Sequence, residues 1–231
     1  MRSLRMSVWL PMYRAICKDM GYDEAEDHKA ACLLADLLAG KSLRSVERVH
    51  PLFPQTVTVC GAGENLADEL SSMKIEGYIV AADAATSVLT ESGIVPNMIV
   101  TDLDGIVEEQ IELNARGTAI FVHGHGDNMD AIRQYVPRFV EPVVGTCQCP
   151  VVPGVYNFGG FTDGDRAACI CAALGARRIL LAGFDFEKPS RKAGKGSEVK
   201  LRKLHWAKLV LEKLSLDGVR VSKAQGPDDI F

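Results

Sequence analysis

From residue 55 onward, short runs that are apolar throughout alternate with stretches of helical periodicity. The runs cover 57–60, 78–81, 98–101, 119–122 and 179–182, and each ends in a polar or glycine cluster. An unbroken apolar run suits a strand covered on both faces. Strand–helix alternation therefore predicts an α/β fold, a doubly wound, mostly parallel, Rossmann-like sheet with right-handed crossovers. Before residue 55 the pattern is helical. Ala30, Leu33, Leu34, Leu37 and Leu38 share one helix face, Asp23 and Glu26 lie close to capping-box spacing ahead of them, and Gly40 is a natural stop. The connector His50-Pro51-Leu52-Phe53-Pro54 marks a boundary, because proline disfavours continuing a helix. Three segments follow: a helical subdomain over 1–54, an α/β core over 55–187, and a C-terminal part over 188–231. The last holds a basic, glycine-containing loop at 188–198, a helix near 199–214 and a short strand near 218–222.

Composition narrows the class. The 231 residues are 47% hydrophobic and 24% charged, with a net charge of −4. That balance fits a globular enzyme or binding protein and gives no basic excess for a nucleic-acid partner. No apolar run reaches the ~18–20 residues of a spanning helix, so no membrane partner is expected. The opening MRSLRMSVWLPMY reads as part of the fold. Seven cysteines, an odd number with several inside apolar stretches, argue against a disulfide scaffold and for the cytoplasm.

In an open α/β sheet, ligands sit at the carboxyl ends of the strands. Here those ends deliver Gly61-Ala62-Gly63-Glu64-Asn65, Asp83-Ala84-Ala85-Thr86, Asp102-Leu103-Asp104-Gly105, His123-Gly124-His125-Gly126-Asp127-Asn128 and Phe184-Asp185. Asp102 and Asp104, if the chain stays extended, project to one side roughly 6.5–7 Å apart. With Asp83 from a neighbouring strand they form a carboxylate set suited to Mg²⁺, a hard cation commonly completed by substrate phosphates. Single strand-end acids also act as turn formers or helix caps, and it is the three together that favour a cation. Gly61 and Gly63 are half of a phosphate-loop fingerprint, or else a plain tight turn. His123 and His125 lack a partner pair for zinc. Hydrogen bonding to phosphate or substrate, with Asp127 and Asn128, fits better. Thr162-Asp163-Gly164-Asp165-Arg166 opens a helix and is accounted for by capping alone. Lys192, Lys195, Lys200, Arg202 and Lys203 form either a lid over a triphosphate or a solvated surface.

The order of these pieces resembles the archaeal 6-hydroxymethyl-7,8-dihydropterin pyrophosphokinases. The likeness rests on Val57–Gly63, Ala82–Thr86, Gly93–Gly105, His123–Asn128 and Gly159–Arg166, and on Asp27, Ala30 and Ala31 in the helical leader. The middle is also similar to the thiamin pyrophosphokinases, although Ala84, Ala85 and Gly105 depart from their pattern. The resemblance implies a thiamin pyrophosphokinase-like core and Mg²⁺-dependent diphosphate transfer. ATP would be the donor, the dihydropterin hydroxymethyl group the acceptor and AMP the second product, in tetrahydromethanopterin or folate biosynthesis. It implies metal ligation by Asp83, Asp102, Asp104 and Asp163, the last with Thr162 binding a second ion or orienting the hydroxyl. Asp102, Asp104 and Asp163 are the catalytic candidates. Gly61, Gly63, Asn65, Asp83, Thr86, His125, Asp127, Lys200 and Lys203 are candidates for the nucleotide. Asn157, Phe158 and Phe161 are candidates for the pterin, by location. Three alternatives stand beside this one. They are diphosphate transfer to another alcohol such as thiamin, a haloacid-dehalogenase-like phosphatase using Asp102 and Asp104, and a nucleotide-binding module without turnover. A homodimer is compatible with all of them.

Overall fold

Seven strands form one wholly parallel sheet: β1 (Thr56–Cys60), β2 (Tyr78–Ala82), β3 (Met98–Thr101), β4 (Ala119–His123), β5 (Val143–Thr146), β6 (Arg178–Ala182) and β7 (Arg220–Lys223). Their order is β5-β4-β3-β2-β1-β6-β7. The computed structural model describes residues 4–50, 53–72, 75, 77–188 and 197–224. The strand order reverses beside β1. Right-handed crossovers then place α4 (Leu66–Ser72), α5 (Ala85–Glu91), α6 (Val107–Ala115) and α7 (Met129–Tyr135) on one face, and α8 (Asp163–Leu174) on the other. This is the doubly wound arrangement expected from the apolar runs. Helix α8 is small and apolar, with Ala167, Ala168, Cys169, Ile170, Cys171 and Ala172 all buried, so it packs closely across β1, β2 and β3. Helix α9 (Ser197–Leu216) packs on α8 and β7.

Five strands match the expected runs to within one residue at either end. The apolar pattern does not mark strand β5, which has four residues and a signal interrupted by Gly145. It is an edge strand, a position that leaves backbone N–H groups without a ladder partner. Helix α3 (Lys41–Val49) covers that edge. The hydroxyls of Ser42 and Ser45 accept from Gly145 N and Val143 N at 3.0 and 2.9 Å.

The N-terminal helices share a single apolar core with the sheet. Trp9, Tyr13 and Ile16 of α1 (Met6–Met20) and Ala30 and Leu34 of α2 (Glu24–Leu37) are buried in the same cluster as the strand residues. Asp23 caps α2 by accepting from Ala25 N at 2.8 Å. The expected reciprocal partner, Glu26, pairs instead with Lys29 at 2.6 Å. Gly40, in the left-handed region at φ 73°, turns the chain into α3 rather than simply ending α2. Among the described residues, no helix is long and apolar enough to cross a membrane.

Candidate active site

Asp83 follows β2, and Asp102 and Asp104 follow β3. Among the described non-glycine residues, only Asp83 (φ 43°) and Leu103 (φ 68°) occupy the left-handed region. Such conformations cost of order 1–3 kcal/mol each and concentrate at functional sites. The turn at Leu103 corrects the extended geometry expected for Asp102 and Asp104. The chain folds back, Asp104 N donates to Asp102 Oδ1 at 3.3 Å, and the pair draws together instead of standing apart. One carboxylate oxygen from each of Asp83, Asp102 and Asp104 lies within 4.8 Å of the others. Gly105 completes the fit, since a Cβ there would stand 2.7 Å from Asp83 Oδ2.

Each acid is held differently. Asp83 is buried, and its Oδ1 accepts from Thr101 Oγ1 at 2.7 Å and Gln110 Nε2 at 3.0 Å. Burial pushes its pKa up to about 7; the hydrogen bond with Asp104 and the two neighbouring carboxylates act the same way, and Thr101 opposes them. For Asp102, burial also acts upward. His125 outweighs it with help from Arg166 and Asp104 N–H, so this acid sits below the ordinary carboxylate range. His125 Nε2 lies 3.4 Å from Asp102 Oδ2, while Nδ1 accepts from Asp127 N at 3.3 Å. That pattern assigns the proton of a neutral ring to Nε2, facing the carboxylate. His123 is set apart. It is buried, its Nδ1 lies 3.2 Å from Thr146 Oγ1, and burial holds its pKa well below the usual imidazole range.

The start of α8 brings a fourth acid. Asp163 is paired with the buried Arg166 at 2.9 Å. Burial, followed by the negative charge of Asp102, raises its pKa well above the ordinary value, against the pull of Arg166. Arg166 also donates to Phe161 O at 2.7 Å. Asp165 turns the other way. Its carboxylate accepts from Phe161 N, Thr162 N and Thr162 Oγ1, and so closes the helix N-terminus. Thr162 is thereby engaged in the cap.

These acids open on a cavity of about 750 Å³. Gly61, Gly63, Asp83, Asp102, Asp104, His125, Asp127, Phe161, Asp163, Lys200 and Lys203 all line it. Four expectations are corrected. Asn65 does not line the cavity; just ahead of α4, its Nδ2 donates to Glu69 Oε1 at 2.6 Å. Thr86 is buried in the first turn of α5, beneath the cavity wall. Asn157 pins its own loop, donating to Gln148 O and Cys149 O and accepting from Gly159 N. Phe158 stacks on Tyr156 at 5.5 Å, away from the lining. Arg202, left open between a lid and a solvated surface, does not line the cavity and pairs with Asp19 at the end of α1. Lys192 and Lys195 lie outside the described residues, as does most of the basic loop.

The glycine loop also departs from its expected role. Gly61 N donates to Ala182 O and Gly63 N to Gly183 O, so neither N–H is directed at a phosphate. A Cβ on Gly63 would lie 2.4 Å from Gly183 O. These glycines let the ends of β1 and β6 touch. Sequence reasoning placed Phe184 at a strand end without giving it a role, and missed Tyr22, Gln148 and Lys188, which also line the cavity. Tyr22 lies in the connection between α1 and α2, far from any strand end, and Gln148 lies two residues past β5, the strand that the apolar pattern does not mark.

Fold and site together define a doubly wound α/β protein whose ligand crevice, at the carboxyl ends of the strands, is acidic in the middle and flanked by lysines. Residues 33–191 match the family model described as 6-hydroxymethylpterin diphosphokinase MptE-like. A Pyrococcus furiosus protein named 6-hydroxymethyl-7,8-dihydropterin pyrophosphokinase is 42% identical over 230 residues, covering 93% of this chain and 96% of the relative. Proteins of the same name from Methanothermobacter thermautotrophicus (95% of this chain, 100% of the relative) and Methanocaldococcus jannaschii (90% and 95%) are 36% and 35% identical. The chain belongs to this MptE-like 6-hydroxymethylpterin diphosphokinase family, as the strand-end motifs suggested. Likenesses to solved structures are weaker. Thiamine pyrophosphokinase from Bacillus subtilis gives 14% identity and a TM-score of 0.38, over 72% of this chain and 58% of that one. The MAf glycosyltransferase from Magnetospirillum magneticum gives 18% and 0.41, over 71% and 29%. Neither bears on the chemistry.

Proposed function

We propose that this protein transfers diphosphate from ATP to the hydroxymethyl group of 6-hydroxymethyl-7,8-dihydropterin. The acceptor oxygen attacks the β-phosphorus, the bond from that phosphorus to the oxygen bridging the α-phosphorus breaks, and AMP leaves with that oxygen. The hydroxyl proton is released in the same transfer. The observation that carries the reading is the convergence of Asp83, Asp102 and Asp104 in a lysine-flanked cavity, in a chain of this family.

The donor set fits a hard divalent cation. It offers only oxygens, and three close carboxylates, one of them buried, are costly to ionise together without a counter-charge. Asp83, Asp102 and Asp104 would hold Mg²⁺, which when bound neutralises charge on the phosphates and their developing leaving group. The remaining work is positioning, which dominates phosphoryl-type transfers. His125 orients Asp102. Arg166 fixes one oxygen of Asp163 and leaves the other to orient the acceptor hydroxyl. Lys188 and Lys200 counter the triphosphate charge, while Lys203 Nζ stands 5.8 Å over the Phe161 ring. The seven cysteines are all free thiols, which favours a reducing cytoplasm.

The test is to incubate the protein with ATP, Mg²⁺ and 6-hydroxymethyl-7,8-dihydropterin and to follow AMP, with thiamin as a parallel acceptor. Pterin-dependent AMP formation is expected. AMP formed only with thiamin, or phosphate trapped covalently on Asp102, would overturn the reading.

A further inference from the structure

Along the carboxyl edge of the sheet, the acid cluster at β2 and β3 separates two sides of the cavity. On the β1–β6 side the lining includes Gly61, Gly183, Phe184 and Lys188. On the β4–β5 side it includes Tyr22, Asp27, Gly126 and Gln148, where Gly126 follows β4 and Gln148 follows β5. The two sides differ in charge. A triphosphate, with about four negative charges, is disfavoured beside Asp27 and the neighbouring Asp23 and Glu26, and is favoured beside Lys188.

Asp27 is a buried carboxylate that the transfer chemistry leaves unused. Donors from three separate segments hold it. Tyr13 OH and Gln148 Nε2 donate to Oδ2 at 2.9 and 2.7 Å, and Gly126 N donates to Oδ1 at 2.9 Å. A carboxylate oxygen accepts two hydrogen bonds, so Oδ1 keeps capacity for one more donor. Nearby, Tyr22 and Phe161 form an aromatic wall, with centroids 6.2 Å apart and rings inclined by 46°. A flat heterocycle with an N–H edge matches that combination of π-surface and fixed acceptor.

Resting on the proposed function, we propose that the pterin ring binds on the β4–β5 side, against Tyr22 and Phe161, with its amino-pyrimidinone N–H edge toward Asp27 Oδ1, while the nucleotide occupies the β1–β6 side. Tyr22 and Asp27 are then specificity-determining residues, and the hydroxymethyl group points back to the acid cluster.

The test titrates the full-length protein with 6-hydroxymethylpterin in the absence of ATP, following ligand fluorescence. Tyr22→Leu is expected to weaken binding on the order of tenfold, the loss of one stacking partner. 6-Hydroxymethyllumazine, with a 2-oxo group in place of the 2-amino group, is expected to bind the wild type at least about tenfold more weakly, because an acceptor oxygen then stands beside the buried carboxylate where the amino group donated, and only N3–H remains on that edge. The analogue avoids Asp27→Asn, a change that endangers folding. Lys188→Ala is expected to raise KM for ATP and leave pterin affinity unchanged. Unchanged pterin binding by Tyr22→Leu, or weakened pterin binding by Lys188→Ala, would overturn the assignment. The two readings separate cleanly. AMP formation by wild type with an unaltered pterin KM in Tyr22→Leu removes the slot and keeps the transfer reading. Tyr22-dependent pterin binding without AMP formation keeps the slot and removes the transfer reading. Absence of both pterin binding and pterin-dependent AMP formation in the wild type removes both.

Discussion

Gly61-Ala62-Gly63 and Asp102-Leu103-Asp104 are two strand ends with the same spacing, on strands that flank β2, facing one cavity. Their polar groups have different fates. At the glycine pair, both N–H groups are taken by carbonyls at the end of β6 and just beyond it. At the aspartate pair, the carboxylates converge with Asp83 on one shared space in the cavity. A strand-end motif acts on a ligand only when its polar groups are left over after the neighbouring loops have been satisfied. Gly61 and Gly63 pack the ends of β1 and β6 together, whereas Asp102 and Asp104 converge on the cavity from a turn with Leu103 in the left-handed region.

The contrast breaks most sharply under substitution. Asp102→Ala or Asp104→Ala is expected to lower turnover by at least ~10³-fold, about 4 kcal/mol of transition-state stabilisation, as for loss of a metal-held clamp. Melting temperature is expected to stay within about 3 °C of wild type, because neither side chain is a core residue and both belong to a mutually repelling cluster. Steady-state kinetics with calorimetric melts checks both. Loss of folding with normal activity in the folded fraction would make this turn structural after all. Gly63→Ala is expected to behave in the opposite way. Its Cβ would meet Gly183 O at 2.4 Å and Asn65 Oδ1 at 2.5 Å, so backbone must shift. A cost of ~2–3 kcal/mol follows, or roughly 5–10 °C in melting temperature, with kcat changed less than about tenfold. Unaltered stability together with a lost ATP response would restore the phosphate-loop role.

Metal addition sharpens the same comparison without a change of activity assay. At ten times its Kd, Mg²⁺ stabilises a protein that binds it only when folded by about 1.4 kcal/mol, roughly 3–6 °C for a chain of this size. Wild type and Gly63→Ala are expected to show this shift in thermal melts, and Asp104→Asn to lose it. Equal shifts in all three would place the ion elsewhere.

The fold was legible because parallel strands buried on both faces carry their signal in consecutive residues: 57–60, 78–81, 98–101, 119–122 and 179–182 each mark a strand directly. Strand β5 was not, because Gly145 weakens the run, and the hydroxyls that protect this edge come from Ser42 and Ser45, about a hundred residues earlier. At the site, the acids at 83, 102 and 104 were legible because an open parallel sheet projects its strand ends to one edge, whereas Asp163, which opens α8, came only from the family resemblance. Which of the other residues face the cavity was not. Asn157 and Phe158 sit in a promising stretch, yet Asn157 is consumed by its own loop and Phe158 by Tyr156. Tyr22, Gln148 and Arg166 reach the cavity only through tertiary packing, which one-dimensional spacing does not carry.

The start of α8 offers the finest version of the comparison, because ligand chemistry and capping alternate within four residues. Asp163 faces the cavity and pairs with Arg166, whereas Asp165 turns inward to accept from Phe161 N, Thr162 N and Thr162 Oγ1. The threonine hydroxyl is therefore a donor to Asp165 and an acceptor from its N–H in a capping box, and its removal leaves the two backbone donors to the carboxylate in place. Thr162→Val is expected to cost about 1 kcal/mol, the ordinary worth of such a cap, or roughly 2–4 °C in melting temperature, with kcat/KM within about threefold of wild type. Asp163→Asn is expected to invert that ratio, lowering kcat by about tenfold or more, on the order of 1.4 kcal/mol, with a smaller change in melting. Should Thr162→Val lose activity while keeping its stability, the hydroxyl would belong to the reacting groups, and the division between cap and site would run one residue earlier than the hydrogen bonds place it.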